Sequence, residues 1–218
     1  MWHTAELTPG LPEMPELSDE ELPPLPYDYD ALEPHIDEQI MTWHHDTHHQ
    51  GYVNGLNSAE ETLKENRESG DVGSSDAAMR SVSHNGSGHY LHHLFWRCMS
   101  PDGGGEPSGE IRDRIESDFG SYEGWKAEFV EAAKWPAGGW ALLVYDPVAK
   151  QLRNLAVQKH NDGALWGSHP IMALDVWEHS YYYQYGPARG DFVDAFFEVV
   201  DWNTVESELQ KTVEHHEG

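Results

Sequence analysis

The chain has 218 residues, 38% of them apolar, and sets 39 acidic against 13 basic side chains for a net charge of −26 with histidine neutral. That supports one sizeable core or two small ones, while the scarcity of cations excludes nucleic acid and anionic membrane as partners, because nothing would displace counterions from phosphate. Such a charge repels itself in a compact fold unless salt screens it, which points to a halophilic protein.

Residues 1–24 form an acidic, proline-rich arm, and the ordered chain is expected to begin near Leu25. No basic segment followed by an apolar run opens the sequence, so no signal peptide is expected. No stretch approaches the ~20 apolar residues of a membrane span, and a cytoplasmic location follows. From Asp30 to Arg67 the apolar spacing is helical, and Met79 to Met99 is a second helical run, with SGDVGSSD at 69–76 as the loop between them. SPDGGGEPSGE at 100–110 is the strongest break and divides a helical hairpin domain, 25–105, from a C-terminal α/β domain, 106–218.

Beyond the break, Glu110–Asp118 and Ser121–Lys134 read as amphipathic helices, the second opening on a serine cap. GWALLVYD at 139–146 and QLRNLAV at 151–157 are short apolar runs joined by PVAK, a β-hairpin pattern. PIMALDV at 170–176 adds a third strand, and Asp191 to Gln210 returns to helical character. The fold class is α+β: an antiparallel α-helical hairpin followed by a three-stranded antiparallel sheet packed with helices.

Fifteen histidines beside one cysteine, Cys98, are the chemical anomaly. A single cysteine excludes an intramolecular disulfide and a thiolate zinc site. His3, His215 and His216 carry no pattern and are read as surface residues. Three clusters do carry one. In WHHDTHHQGY, 43–52, the helical period places His44, His48 and Tyr52 on one face and His45 and His49 on a neighbouring column. GHYLHHLFW, 88–96, sets His89 and either His92 or His93 on one face of an apolar run. LDVWEHSYYY, 174–183, spaces Asp175 and His179 four apart among residues that should be buried. Nitrogen and oxygen donors without thiolate suit manganese, iron or zinc. With no H-E-x-x-H and no E-x-x-H in the chain, the site is mononuclear.

In LPYDYDALEPHID, HHDTHHQGYVNGLN, GHYLHHLFW, GGWALLVYD and DVWEHSYYYQYG, taken in order, the chain from Leu25 to about Asn203 resembles the iron/manganese superoxide dismutase family. DVWEH fits the family's specific D-x-W-E-H, and the acid-rich sequence is most similar to the haloarchaeal branch. The resemblance implies dismutation of superoxide to dioxygen and hydrogen peroxide at one manganese ion per subunit, with iron as the alternative. It implies His44, His92, Asp175 and His179 as metal ligands, and His48 and Tyr52 at the substrate entrance. Tyr182 and Glu178 would act across the interface of a homodimer or dimer of dimers. Arg189, in GPARGD, would guide the anionic substrate, and Trp96, Trp140 and Trp177 would wall the site. Where many members carry an outer-sphere glutamine, this chain has Gly88 at one position and, in QKHNDGALWG, His160 at the other, with Asn161 as the alternative; the resemblance implies that Gly88 favours manganese, while a histidine at the second position is found with either metal. Leu142 stands where the family has a second tryptophan. A metal-storage protein or a zinc hydrolase would use the same donors and differ in lacking redox turnover.

Overall fold

The computed structural model describes residues 20–135 and 137–217; the arm before residue 20, His3 included, lies outside the described residues. The chain is already tied to the helices at Glu20, earlier than Leu25, because the Glu20 backbone N–H and C=O pair with the Asn57 side-chain amide at 3.1 and 2.8 Å.

The first helical run begins later than the spacing suggests. Residues 28–36 make successive turns, with Ala31 bonded to Asp28 and Glu33 to Asp30, because Pro34 has no N–H to continue a helix. Asp37 then caps α1, Glu38–Trp43, by accepting from the Gln39 N–H at 2.8 Å. The rod continues as a π-helical segment, His44–His49, and as α2, Gln50–Ser69. Gly70, at φ 76°, ends it in the left-handed conformation glycine takes freely. The return helix is α3, Ser75–Arg97.

In the second half, α4, Gly109–Phe119, and α5, Tyr122–Lys134, stand as the spacing predicts, with Ser121 Oγ capping α5 through the Gly124 N–H at 3.0 Å. The strands are β1, Trp140–Asp146, β2, Gln151–Val157, and β3, His169–Asp175, in the antiparallel order β2-β1-β3. A 3-10 turn, Glu178–Ser180, and α6, Tyr182–Tyr185, lead into α7, Arg189–Phe197, and α8, Trp202–Glu217.

The helical run expected over 191–210 is therefore two helices. Between them the chain pairs with the end of α3: Ser100 N–H donates to Val199 O at 2.8 Å and Asp201 N–H to Cys98 O at 2.8 Å. Val199 and Val200 are buried there, and Asp201 receives the Thr204 hydroxyl at 2.7 Å to open α8. One core joins both halves, from Ile40, Leu94 and Phe95 through the central strand to Phe192 and Phe196. Cys98 is fully buried in it, and burial pushes its thiol up to about 12, so it is unreactive.

Candidate metal centre

β1 lies at the middle of the sheet, so Trp140 pairs with Val157 on one side and with Asp175 on the other. That register places the end of β3 beside the chain leaving β2, where His160 stands. The helical rod and α3 close the space from above.

Asp175 is fully buried. Its Oδ1 accepts from the Trp177 N–H at 2.8 Å, which fixes the carboxylate, while Oδ2 lies 3.1 Å from His44 Nε2, 3.4 Å from His92 Nε2 and 3.4 Å from His179 Nε2. The four potential ligand atoms all fall within 4.8 Å of one another. His92 donates through Nδ1 to Gly88 O at 2.6 Å, which leaves Nε2 as a lone-pair donor, buried and without a hydrogen-bond partner among the described residues. Burial, helped by the neighbouring His179, lowers the His44 imidazole to about 4, and burial drives His92 well below its usual value. Burial alone would raise Asp175, but the imidazoles of His179 and His44 outweigh it and hold the carboxyl well below the ordinary range. Three imidazoles facing an anionic carboxylate in a largely buried pocket, with one nitrogen unpartnered among the described residues, fit a cation of the nitrogen- and oxygen-loving class.

The other expected residues fall into distinct places. His48 is half-buried and stacks on His179 at 4.0 Å, outside the ligand cluster. Tyr52, also half-buried, lies against the rings of His160 and His92 at 4.4 and 5.0 Å; burial and then the charge of Asp175 push its phenol up to about 12, so it keeps its proton. Trp140 Nε1–H donates to His160 Nδ1 at 2.9 Å. His160 therefore carries its proton on Nε2, which is buried beside Tyr52 and unpartnered among the described residues, and burial lowers the ring to about 4. Asn161 turns away to the Ser83 hydroxyl at 2.8 Å.

Trp96, fully buried, meets His44 edge-on at 4.8 Å, and Trp177 stacks parallel to His179 at 6.4 Å. Arg189 is held by Trp135 O at 2.8 Å and the Tyr181 hydroxyl at 3.1 Å, in a cleft it shares with Lys159, Trp177 and His179. Lys159 is a second cation there that no spacing in the sequence marks. Glu178 and Tyr182 are exposed and line one cleft, and exposed Trp43 and Tyr183 pack edge-on at 5.2 Å.

The remaining histidines do not join the cluster. His45 donates through Nε2 to Pro23 O at 2.9 Å and meets Asp46 at 2.7 Å, while His49 bonds Trp96 and His89. This column holds the segment that enters the first helix. His216, expected to be a plain surface residue, lies 2.8 Å from His169 Nε2.

Among known proteins, residues 19–100 match the family described as iron/manganese superoxide dismutases, alpha-hairpin domain, and residues 107–208 match the C-terminal domain of the same family. A relative from Haloarcula marismortui, named superoxide dismutase [Mn], is 76% identical over 94% of this chain and 100% of its own. Superoxide dismutase [Mn] 2 of Halobacterium salinarum is 71% identical over 90% and 98%. Superoxide dismutase [Mn] 1 of Haloferax volcanii is 70% identical over 91% and 98%.

Proposed function

The chain belongs to the iron/manganese superoxide dismutase family, and from that premise we propose that it converts two superoxide ions and two protons to dioxygen and hydrogen peroxide at one manganese ion per subunit. The carrying observation is the cluster of buried His44, His92 and Asp175 with half-buried His179, in which the His92 Nε2 has no hydrogen-bond partner among the described residues. These four residues would hold the metal, with iron as the alternative. When bound, manganese supplies the one-electron change between its divalent and trivalent states on which dismutation depends.

The protein's own part is to tune, exclude and guide. An anionic Asp175 among the imidazole donors favours the higher charge state. His160, its proton fixed on Nε2 by Trp140, offers a buried donor beside the ligands, the position from which a solvent molecule or substrate is addressed. Gly88 at the first outer-sphere position favours manganese, in keeping with the relatives named for that metal. Tyr52 and His48 form the entrance, with the Tyr52 hydroxyl holding a proton. Trp96, Trp140 and Trp177 limit water. Arg189, with Lys159, supplies local positive charge to draw a small anion to a protein that would otherwise repel it.

Homodimers, alone or paired into tetramers, are part of this reading: Glu178, Tyr182, Tyr183 and Trp43 are all exposed, and the last two pack against each other, which leaves large side chains free for a second subunit. No described helix is long and apolar enough to cross a membrane. The acidic surface suits a cytoplasm kept at high salt, where we place the enzyme.

Metal-free protein reloaded separately with manganese, iron and zinc tests the proposal by superoxide consumption. Manganese should restore the highest rate and zinc none. A manganese-replete protein without activity would point to metal storage, and activity with zinc would overturn the redox reading.

A further inference from the structure

Glu20, His89, His49 and Trp96 form an unbranched hydrogen-bonded chain that ends against the metal site. Trp96 Nε1 lies 3.0 Å from His49 Nδ1, His49 Nε2 lies 2.7 Å from His89 Nδ1, and His89 Nε2 lies 3.0 Å from Glu20 Oε2. His49 is fully buried, and His89 and Glu20 are each 8% exposed.

The direction of every bond follows from its ends. An indole nitrogen can only donate, so His49 Nδ1 accepts and its single proton sits on Nε2. That proton points at His89 Nδ1, which must also accept, leaving the His89 proton on Nε2, aimed at the Glu20 carboxylate. A donor-only group at one end and an acceptor-only group at the other permit one arrangement, with both rings neutral. Because the indole N–H cannot pass a proton onward, the chain carries no protons to the metal and serves to orient.

What it orients lies against the ligands. The Trp96 ring stands edge-on to His44 at 4.8 Å, and the His49 ring stacks on His92 at 5.3 Å with 21° between planes. We propose that Glu20, His89 and His49 are positioning residues of the metal centre: the Glu20 carboxylate accepts the last proton in the direction that the Trp96 indole sets, and by anchoring both histidines it holds the Trp96 and His49 rings behind His44 and His92. The segment preceding the first helix thus becomes part of the site. The inference rests on the metal-site reading above for its catalytic consequence, but its proton pattern can be read without any activity.

The test is neutron diffraction of the manganese-loaded protein exchanged into D2O, together with the variants Glu20→Gln and Glu20→Met. In the parent, deuterium should sit on Nε2 of both His49 and His89 and on neither Nδ1. Glu20→Gln keeps an oxygen acceptor and should retain the parental visible absorption of trivalent manganese and the parental rate. Glu20→Met removes the acceptor; at full metal content it should shift that absorption and lower kcat about tenfold, the low end for an outer partner of a metal ligand. Deuterium on either Nδ1 overturns the proposal. So does a Glu20→Met protein with parental spectrum and rate, or a Glu20→Gln protein impaired as far as Glu20→Met. Absence of superoxide activity in the parent would remove the functional reading while the deuterium pattern still decides the direction of the chain.

Discussion

The ring of Tyr52 lies directly over Gly88: a β-carbon built at Gly88 would stand 2.8 Å from the ring. From the sequence, the resemblance marks Gly88 only as one of the two positions where many members of the family carry a glutamine. In the fold it is the space that Tyr52 occupies. Gly88→Ala should therefore push Tyr52 off His160 and His92. Alanine gains about 1 kcal/mol as a helix former, but overpacking against a ring costs typically ~1–3 kcal/mol, so the variant should melt a few degrees lower and turn over more slowly. Calorimetry and steady-state assay check both; a more stable variant with the parental rate would mean the ring yields freely.

His44 and His45 are neighbours with opposite fates. His44→Ala should abolish stable manganese binding, because it removes one of the four donors of the cluster. His45→Ala should leave metal content near parental. It removes the donor to Pro23 O, while Asp46 keeps the Tyr29 hydroxyl at 2.7 Å, so the cost is about 1 kcal/mol, that of one lost hydrogen bond. Elemental analysis with urea unfolding separates the two effects, and a metal-free His45→Ala protein would refute the ligand set.

His160 owes its fixed tautomer to Trp140. His160→Ala, which deletes the inward donor, should lower activity about 10- to 100-fold at unchanged fold. His160→Gln should preserve more activity while moving the metal's midpoint potential. Trp140→Phe, which frees the ring to place its proton on either nitrogen, should fall between the parent and His160→Ala. Equal rates in Trp140→Phe and parent would show that the indole bond does not set the tautomer.

The surface charge gives a prediction about salt. A net charge of −26 repels itself over a Debye length of ~10 Å at 0.1 M, which shrinks to ~3 Å at 1 M. Melting temperature should accordingly rise with KCl from 0.1 to 2 M. A protein most stable in dilute buffer would remove the halophilic account.

Local patterns in the sequence determined a good deal. The change from helical to alternating spacing located the hairpin and the sheet, the PVAK turn set β1 against β2, and Ser121 announced α5. The histidine clusters located the chemistry, since so many imidazoles without thiolate leave few other uses. Periodicity also failed where local geometry ruled: Pro34 delays the first helix, and pairing of residues 198–201 with the end of α3 splits the last. The π turn over His44–His49 left no mark on the spacing, because i and i+4 rings stay neighbours within it, at 6.1 Å for His44 and His48.

Only the tertiary structure decided which histidine does what. His44 and His48 share a helical face, yet one reaches Asp175, 131 residues away, while the other stacks outside on His179. Spacing put His89 on one face with either His92 or His93; in the fold His89 turns to Glu20 while His92 faces the carboxylate. A helical period fixes the angle at which a side chain leaves its axis and says nothing of what the fold brings to meet it. Those partners come from β3, from the chain after β2 and from the segment before the first helix, and packing of the shared core sets all three.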